Sequence, residues 1–420
     1  MRLHDRMQLK PQKRPTARET AARILSMVIR EKAYANIALR KTLGEDPDYD
    51  RRDRSFITEL VNGCLRNLIY IDYTIEKFSN TAIAKMDPYV ADTIRLAVYQ
   101  IYFMDRVPAR AAVSEAVESV KAGGFSSGAG FVNGVLRNIA RSERTIPPDL
   151  SVAYSFPSWI TELLEGEYGK ETAEKIIMAS MAAKKPDICA NTLRTDMASL
   201  KKIMEEEDAA GISDIRKRPS YLSGLFHVMD AGAMKAVELL SPETGERLLD
   251  MCAAPGGKSF YAAYLMGDSG SIAAWDIYEH KIELIIKSAK RLGVTIIRPE
   301  LRDAALREPG FSRAFDRVLL DAPCSGLGAL RGRPEKKYFL SPNDIGPLVK
   351  LQKKLLNNAA YCVKPRGTLA YCTCTLTRAE NEDNVRWFTE NYPFRVEDVL
   401  KLLPCETSDG FYTVKMIKNE

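Results

Sequence analysis

Between Thr16 and Arg141 the apolar residues recur three and four positions apart, with polar faces between them, as in TARETAARILSMVIR (16–30) and DPYVADTIRLAVYQIYFM (87–104). That spacing gives each segment one apolar stripe and predicts an all-α region. Polar runs at 48–53 (DYDRRD) and 125–130 (FSSGAG) supply breaks, and Ile146-Pro147-Pro148 closes the region with a stiff, non-helical connection. The pattern then mixes. WITELLEGEYG (159–169) and TAEKIIMASMAA (172–183) read as helices, and ICANTLRTD (188–196) as a short strand. From about Ser241 short apolar runs alternate with amphipathic helices, the βαβ rhythm of a mostly parallel sheet. ERLLD (246–250), SIAAWD (271–276), FDRVLLD (315–321) and GTLAYCTC (367–374) are the clear strands. The expected organisation is α+β and multidomain: a basic tail at 1–14, an all-α domain at 15–145, a small α/β linking domain at 146–240 and a parallel-sheet domain at 241–420.

Composition changes this picture little. A chain of 420 residues has room for two or three cores. No run of about eighteen apolar residues suggests a membrane span, and the basic start lacks the apolar segment of a secretory signal, so a cytoplasmic location is expected. The net charge of +6 fits a polyanionic partner but also an ordinary globular protein. Arg2, Arg6, Lys10, Lys13 and Arg14 could touch a nucleic-acid backbone or form a solvated end. Eight scattered cysteines without a secretion signal read as thiols, and with no Cys-x-x-Cys pair and His4, His227 and His280 far from any thiol cluster, no metal site is expected.

The chemistry gathers at strand ends. Asp250, Asp276, Asp303, Asp321 and Cys374 each fall at or just past the carboxyl end of a strand, where open doubly wound sheets bind ligands. Asp250 opens DMCAAPGGKS (250–259), a tight glycine turn into a helix. A phosphate-binding loop would need glycine where Cys252 stands, and the dinucleotide fingerprint G-x-G-x-x-G is absent. An adenosine-ligand loop remains, with Asp276 at about the distance of an acid that meets ribose hydroxyls; the alternative is a tight turn without a ligand. Cys324 and Cys374 taken singly would each be read as buried, inert thiols. Both, however, follow strands at one edge of one sheet beside small or polar residues, so together they suit covalent chemistry. Cys252, Cys362 and Cys372 keep the inert reading, with a backbone role for Cys252 in its loop.

DMCAAPGGKS, DAPCSGLG (321–328) and YCTCTLTRAENE (371–382) resemble the NOL/NOP/Sun family of RNA cytosine-C5 methyltransferases. The resemblance implies a Rossmann-like class I methyltransferase domain and S-adenosylmethionine as cofactor. It implies that Cys252, Ala253, Ala254, Pro255, Gly256, Gly257 and Lys258 line the cofactor loop, that Asp276 binds the ribose and Asp303 the adenine end, and that Asp321 serves the face shared by cofactor and base. Cys374 would be the nucleophile and Cys324 would assist product release. Such thiols meet a definite need, because C5 of cytosine is too weak a nucleophile until a thiolate adds at C6. Val107-Pro108-Ala109, AAVSEAVESVK (111–121) and FVNGVLRNI (131–139) are similar to the RNA-binding NusB fold. Members with this fusion are the Sun (RsmB) type, which implies 16S ribosomal RNA or a small-subunit assembly intermediate as partner; oligomeric state is unreadable. Met229 stands where the family often has glutamine, and Arg378 replaces a usual proline. Finally, ALRGRPEKKYFLSP (329–342) sets Arg331, Arg333, Lys336 and Lys337 beside Tyr338 and Phe339, which reads as a basic RNA-contacting loop or a solvated one.

Overall fold

A computed structural model describes residues 15–45, 49–182, 186–210, 212 and 214–420. The basic tail lies outside the described residues. The chain divides into two compact units, one of residues 15–161 with Arg333–Phe339, the other of Glu162–Gly332 with Leu340–Glu420.

The first unit is helical, with main helices at Ala17–Glu31, Ala35–Glu45, Arg51–Arg66, Leu68–Phe78, Pro88–Phe103, Ala109–Ala122 and Ala129–Arg141. Their starts are written locally. Thr16 and Glu19 form a reciprocal capping box, and Asp87 accepts the Tyr89 amide at 2.8 Å just ahead of Pro88 at the first helical position. The apolar stripes meet in one core that includes Ile24, Leu25, Ile57, Leu60, Ile71, Ile94 and Leu136. The breaks are narrower than their polarity suggests. Arg51 already begins a helix, because Asp50 caps it by accepting the Asp53 amide at 2.8 Å, and the 125–130 run is one 3-10 turn, Ser126–Gly128, before a helix from Ala129.

The basic run is corrected by the same unit. Arg331, in the other unit, is only 3% exposed, and Lys337 only 2%. Within the helical unit, Glu335 Oε1 accepts the Ala35 amide at 3.1 Å at the start of Ala35–Glu45. Lys337 Nζ donates to the Arg66 carbonyl at 2.9 Å at the end of Arg51–Arg66, and Tyr338 Oη donates to the Leu65 carbonyl at 2.9 Å. The segment therefore sets an acid at an amino end, as a helix dipole favours, and an N–H donor at an open carbonyl of a carboxyl end. Arg333 faces solvent and Lys336 is half-buried.

The second unit holds a small antiparallel pair, β1 (Ile188–Ala190) with β2 (Phe226–Val228), and a seven-stranded sheet. The sheet is built from β3 (Arg247–Asp250), β4 (Ser271–Asp276), β5 (Ile297–Leu301), β6 (Phe315–Asp321), β7 (Val363–Thr373), β8 (Phe394–Leu402) and β9 (Phe411–Lys418). Its order is β5-β4-β3-β6-β7-β9-β8, with β3 to β7 parallel and β9 antiparallel to both neighbours. Order reverses between β3 and β6, the switch point at which such sheets open a ligand crevice. Apolar clusters cover both faces, one around Leu248, Phe260 and Ile285, the other around Leu249, Leu320 and Phe388. The sheet unit thus has the expected doubly wound, Rossmann-like architecture, and the other unit is helical. Among the described residues, no helix is long and apolar enough to cross a membrane.

Candidate functional site

β3 ends on Asp250, and residues 251–256 turn the chain tightly into the helix Gly257–Leu265. Gly256 takes φ 103°, a left-handed conformation that side chains rarely adopt. A cavity opens over this turn, lined by Met229, Asp250, Cys252 to Pro255, Gly257, Lys258 and Asp321. Asp250 is 1% exposed; its Oδ2 accepts the Ser259 hydroxyl at 2.6 Å, and its Oδ1 has no hydrogen-bond partner among the described residues. Burial pushes its carboxyl up to about 6, against the pull of Ser259 and Lys258.

Lys258 crosses the switch point, its Nζ 2.5 Å from Asp321 Oδ2 at the end of β6. Burial alone would lower the amine, but the Asp321 carboxylate more than offsets that and holds it charged, above the usual lysine range. Two carboxylates and one ammonium leave the cavity net negative, with an unsatisfied buried oxygen. S-adenosylmethionine fits that set, because its ammonium and sulfonium are cationic and its carboxylate can meet amides of the helix start.

Past the cavity stand the thiols. Cys324, three residues after Asp321, and Cys374, one residue after β7, are half-buried with their sulfurs 3.4 Å apart. Their loops are sewn together by backbone bonds from Ala322 N to the Cys372 carbonyl (2.9 Å) and from Gly328 N to the Cys374 carbonyl (3.0 Å). Gly328 has to be glycine, since a Cβ there would lie 2.5 Å from the Gly410 carbonyl oxygen and 2.9 Å from that of Cys374.

The five strand-end residues share one sheet edge, but they do not share one cavity. Asp250 and Asp321 line it, whereas Asp276, Asp303 and Cys374 do not. Asp276 is buried at the end of β4, with Oδ1 accepting the Tyr278 amide at 3.1 Å and Oδ2 lying 3.5 Å from Lys281 Nζ. Asp303 is exposed two residues past β5, and its carboxylate accepts the Ala305 amide at 2.9 Å in a local turn. Of the thiols read as inert, Cys362 and Cys372 are buried and each pushed up to about 12 by that burial, whereas Cys252 is half-buried and lines the cavity. Met229 lines the cavity, and Arg378 uses its amide to donate to Glu167 at 3.0 Å, a bond that proline could not make.

One group escaped the sequence reading. Glu380, in the quoted motif at 371–382, is wholly buried and accepts hydrogen bonds from the neighbours of both cysteines. Its signal was an acid followed by two further polar residues, Asn381 and Glu382, just after a strand, which a solvated loop would carry equally well.

Comparisons with known proteins agree in outline. The family described as 16S rRNA methyltransferase RsmB/F matches residues 237–416, and the NusB family matches residues 15–141. The probable ribosomal RNA small subunit methyltransferase B of Bacillus subtilis is 36% identical over 402 residues, covering 91% of this chain and 90% of the relative. Its Synechocystis counterpart is 34% identical, covering 90% of each. The crystal structure of PH0851 shares the fold, with a TM-score of 0.79 at 24% identity over 96% of this chain and 99% of that one.

Proposed function

Because this chain belongs to the 16S rRNA methyltransferase RsmB/F family, we propose that it methylates C5 of a cytosine in 16S ribosomal RNA, with Cys374 as nucleophile and Cys324 assisting release. The observation that carries the reading is the 3.4 Å approach of two thiols beside the Lys258–Asp321 pair. One thiol would suffice for addition; two side by side suit a cycle in which a covalent bond is made and then broken.

When bound in the cavity, S-adenosylmethionine supplies an electrophilic methyl carbon. Cys374, as thiolate, forms a bond from sulfur to C6 of the base, and the π pair of C5=C6 becomes the nucleophilic pair at C5. Asp321, held by Lys258, faces the N3 and N4 edge and orients the ring. Once Cys374 is a neutral thioether, Cys324 can lose its own proton to water without facing a second thiolate. Cys324 then accepts the C5 proton, the C5–H pair restores C5=C6, and the C6–S bond breaks with its pair returning to Cys374. The base must leave its stack to reach the thiols, which costs a few kcal/mol and least in a loop, so single-stranded or hairpin-loop RNA is the favoured substrate.

The test uses labelled S-adenosylmethionine with unmodified 16S RNA, small-subunit particles and tRNA as separate arms, followed by mapping of 5-methylcytosine. Wild type should modify ribosomal RNA, Cys374→Ala should transfer no methyl, and Cys324→Ala should accumulate a covalent protein–RNA adduct. Full activity of Cys374→Ala would sink the mechanism, and modification confined to tRNA would sink the substrate.

A further inference from the structure

Resting on that reading of the thiols, we propose that Glu380 is a positioning residue for the release step, setting Cys324 against Cys374 without touching the substrate. Its side chain is 0% exposed and gathers five donors. Oε1 accepts from the Ser325 amide (2.9 Å) and Gln352 Nε2 (3.0 Å). Oε2 accepts from the hydroxyls of Ser325 (2.6 Å), Thr377 (2.8 Å) and Thr375 (3.2 Å). A carboxylate is costly to bury unless its lone pairs are filled, so these five bonds fix its place and, through it, the places of the donors.

The donors are not spread evenly over the fold. Ser325 follows Cys324 and Thr375 follows Cys374, so one carboxylate joins the two loops at the residues next to the sulfurs. The two sides differ in what else holds them. Cys374 continues β7, whose last residue, Thr373, pairs with Tyr412 of β9, and Asn381 Nδ2 donates to the Thr375 carbonyl at 3.1 Å. On the Cys324 side, backbone bonds pin the loop at Ala322 and Gly328. Between those pins, Ser325 ends on Glu380 and, 2.5 Å away, on the Thr375 hydroxyl, which Glu380 also holds. Pro323 is reached by Gln352, whose Nε2 donates both to the Pro323 carbonyl at 2.9 Å and to Glu380. Loosening Glu380 therefore moves Cys324 more than Cys374.

The consequence is a split between steps. Addition needs Cys374 alone, whereas release needs a sulfur within reach of the C5 proton. Displacing that acceptor by about an ångström slows the proton transfer of release by up to about a hundredfold.

Full-length Glu380→Gln and Glu380→Ala are compared with wild type and Cys324→Ala in single-turnover methylation of 16S RNA, with adduct read on denaturing gels and S-adenosylmethionine affinity by calorimetry. The glutamine variant keeps the shape and guards against loss of folding in the alanine variant. Expected for Glu380→Gln are methyl transfer within about threefold of wild type, unchanged cofactor affinity, release slowed about tenfold or more, and adduct that accumulates as in Cys324→Ala. A merely structural role would lower transfer, affinity and release together. That outcome, or wild-type release without adduct, overturns the proposal. Adduct in Cys324→Ala but none in Glu380→Gln overturns it alone, whereas no adduct in Cys324→Ala defeats the reading of the two thiols on which it rests.

Discussion

Lys258 and Lys337 both carry an amine into a largely buried place, and the two are held in opposite ways. Lys258 lies 2.5 Å from a carboxylate, so it stays an ammonium despite burial. Lys337 donates a hydrogen bond to the Arg66 carbonyl and sits 4.5 Å over the Phe156 ring, and burial, with Arg66 adding to it, drives the amine well below the usual lysine range. The local sequences GGKS and EKKY hold no clue to this divergence. What differs is the distant partner, Asp321 in one case and the end of a helix in the other. A buried lysine keeps its charge for chemistry only where the fold returns an acid to it.

Substitution by methionine, similar in size and uncharged, separates the two most sharply. Lys258→Met should reduce methyl incorporation by about a hundredfold or more, as loss of a preorganised charge at a reacting centre does, leaving Asp321 without its counterion. Methylation close to wild type would dissolve the contrast. Next comes Asp250, the second acid near Lys258. Its carboxyl titrates at about 6 in the folded chain, above the unfolded value of about 4, so between these values the folded state holds more protons. The ligand-free protein should lose about 3 kcal/mol as pH rises through that window. Asp250→Asn should abolish the loss and raise Tm at pH 7 while weakening cofactor binding; a Tm profile from pH 4 to 7 with and without the substitution checks this.

Lys337→Met should cost about 1 to 2 kcal/mol, since the Arg66 carbonyl loses its donor, and should leave kcat intact. The folded lysine holds its proton less tightly than the unfolded one, so wild-type stability should climb as pH rises toward about 10, and the variant should lack that climb. Smallest is Glu335→Gln, which keeps an acceptor for the Ala35 amide but removes the charge at a helix start, a loss of about 0.5 to 1 kcal/mol in denaturant unfolding.

Elements whose cause is local were legible in the chain. SIAAWD and FDRVLLD coincide with β4 and β6, because apolar runs closed by aspartate suit strands covered on both faces. The turn at 251–256 was legible for the same reason. β8 was not, because it is an edge strand whose outward residues, including Arg395, Glu397 and Asp398, hide its period. The site was half legible. Cys324 and Cys374 could be assigned to one edge, but the donors that surround Glu380 come from Ser325, 55 positions before it, and Gln352, 28 before it, which the register of β6 against β7 and the packing of the helix Ile345–Cys362 bring together. The basic run misled because charge was counted where capping decided the outcome: Glu335 and Lys337 answer helix ends that lie some three hundred residues upstream.

That return of Arg333–Phe339 to the helical unit bears on the order of events at the ribosome. Residues 15–161 emerge well before Arg333–Phe339, so two of their helix ends stay open until Phe339 has left the exit tunnel. At ordinary elongation rates the wait is on the order of ten seconds. During it the helical bundle lacks those two caps, and its last closure coincides with synthesis of the sheet that carries the thiols.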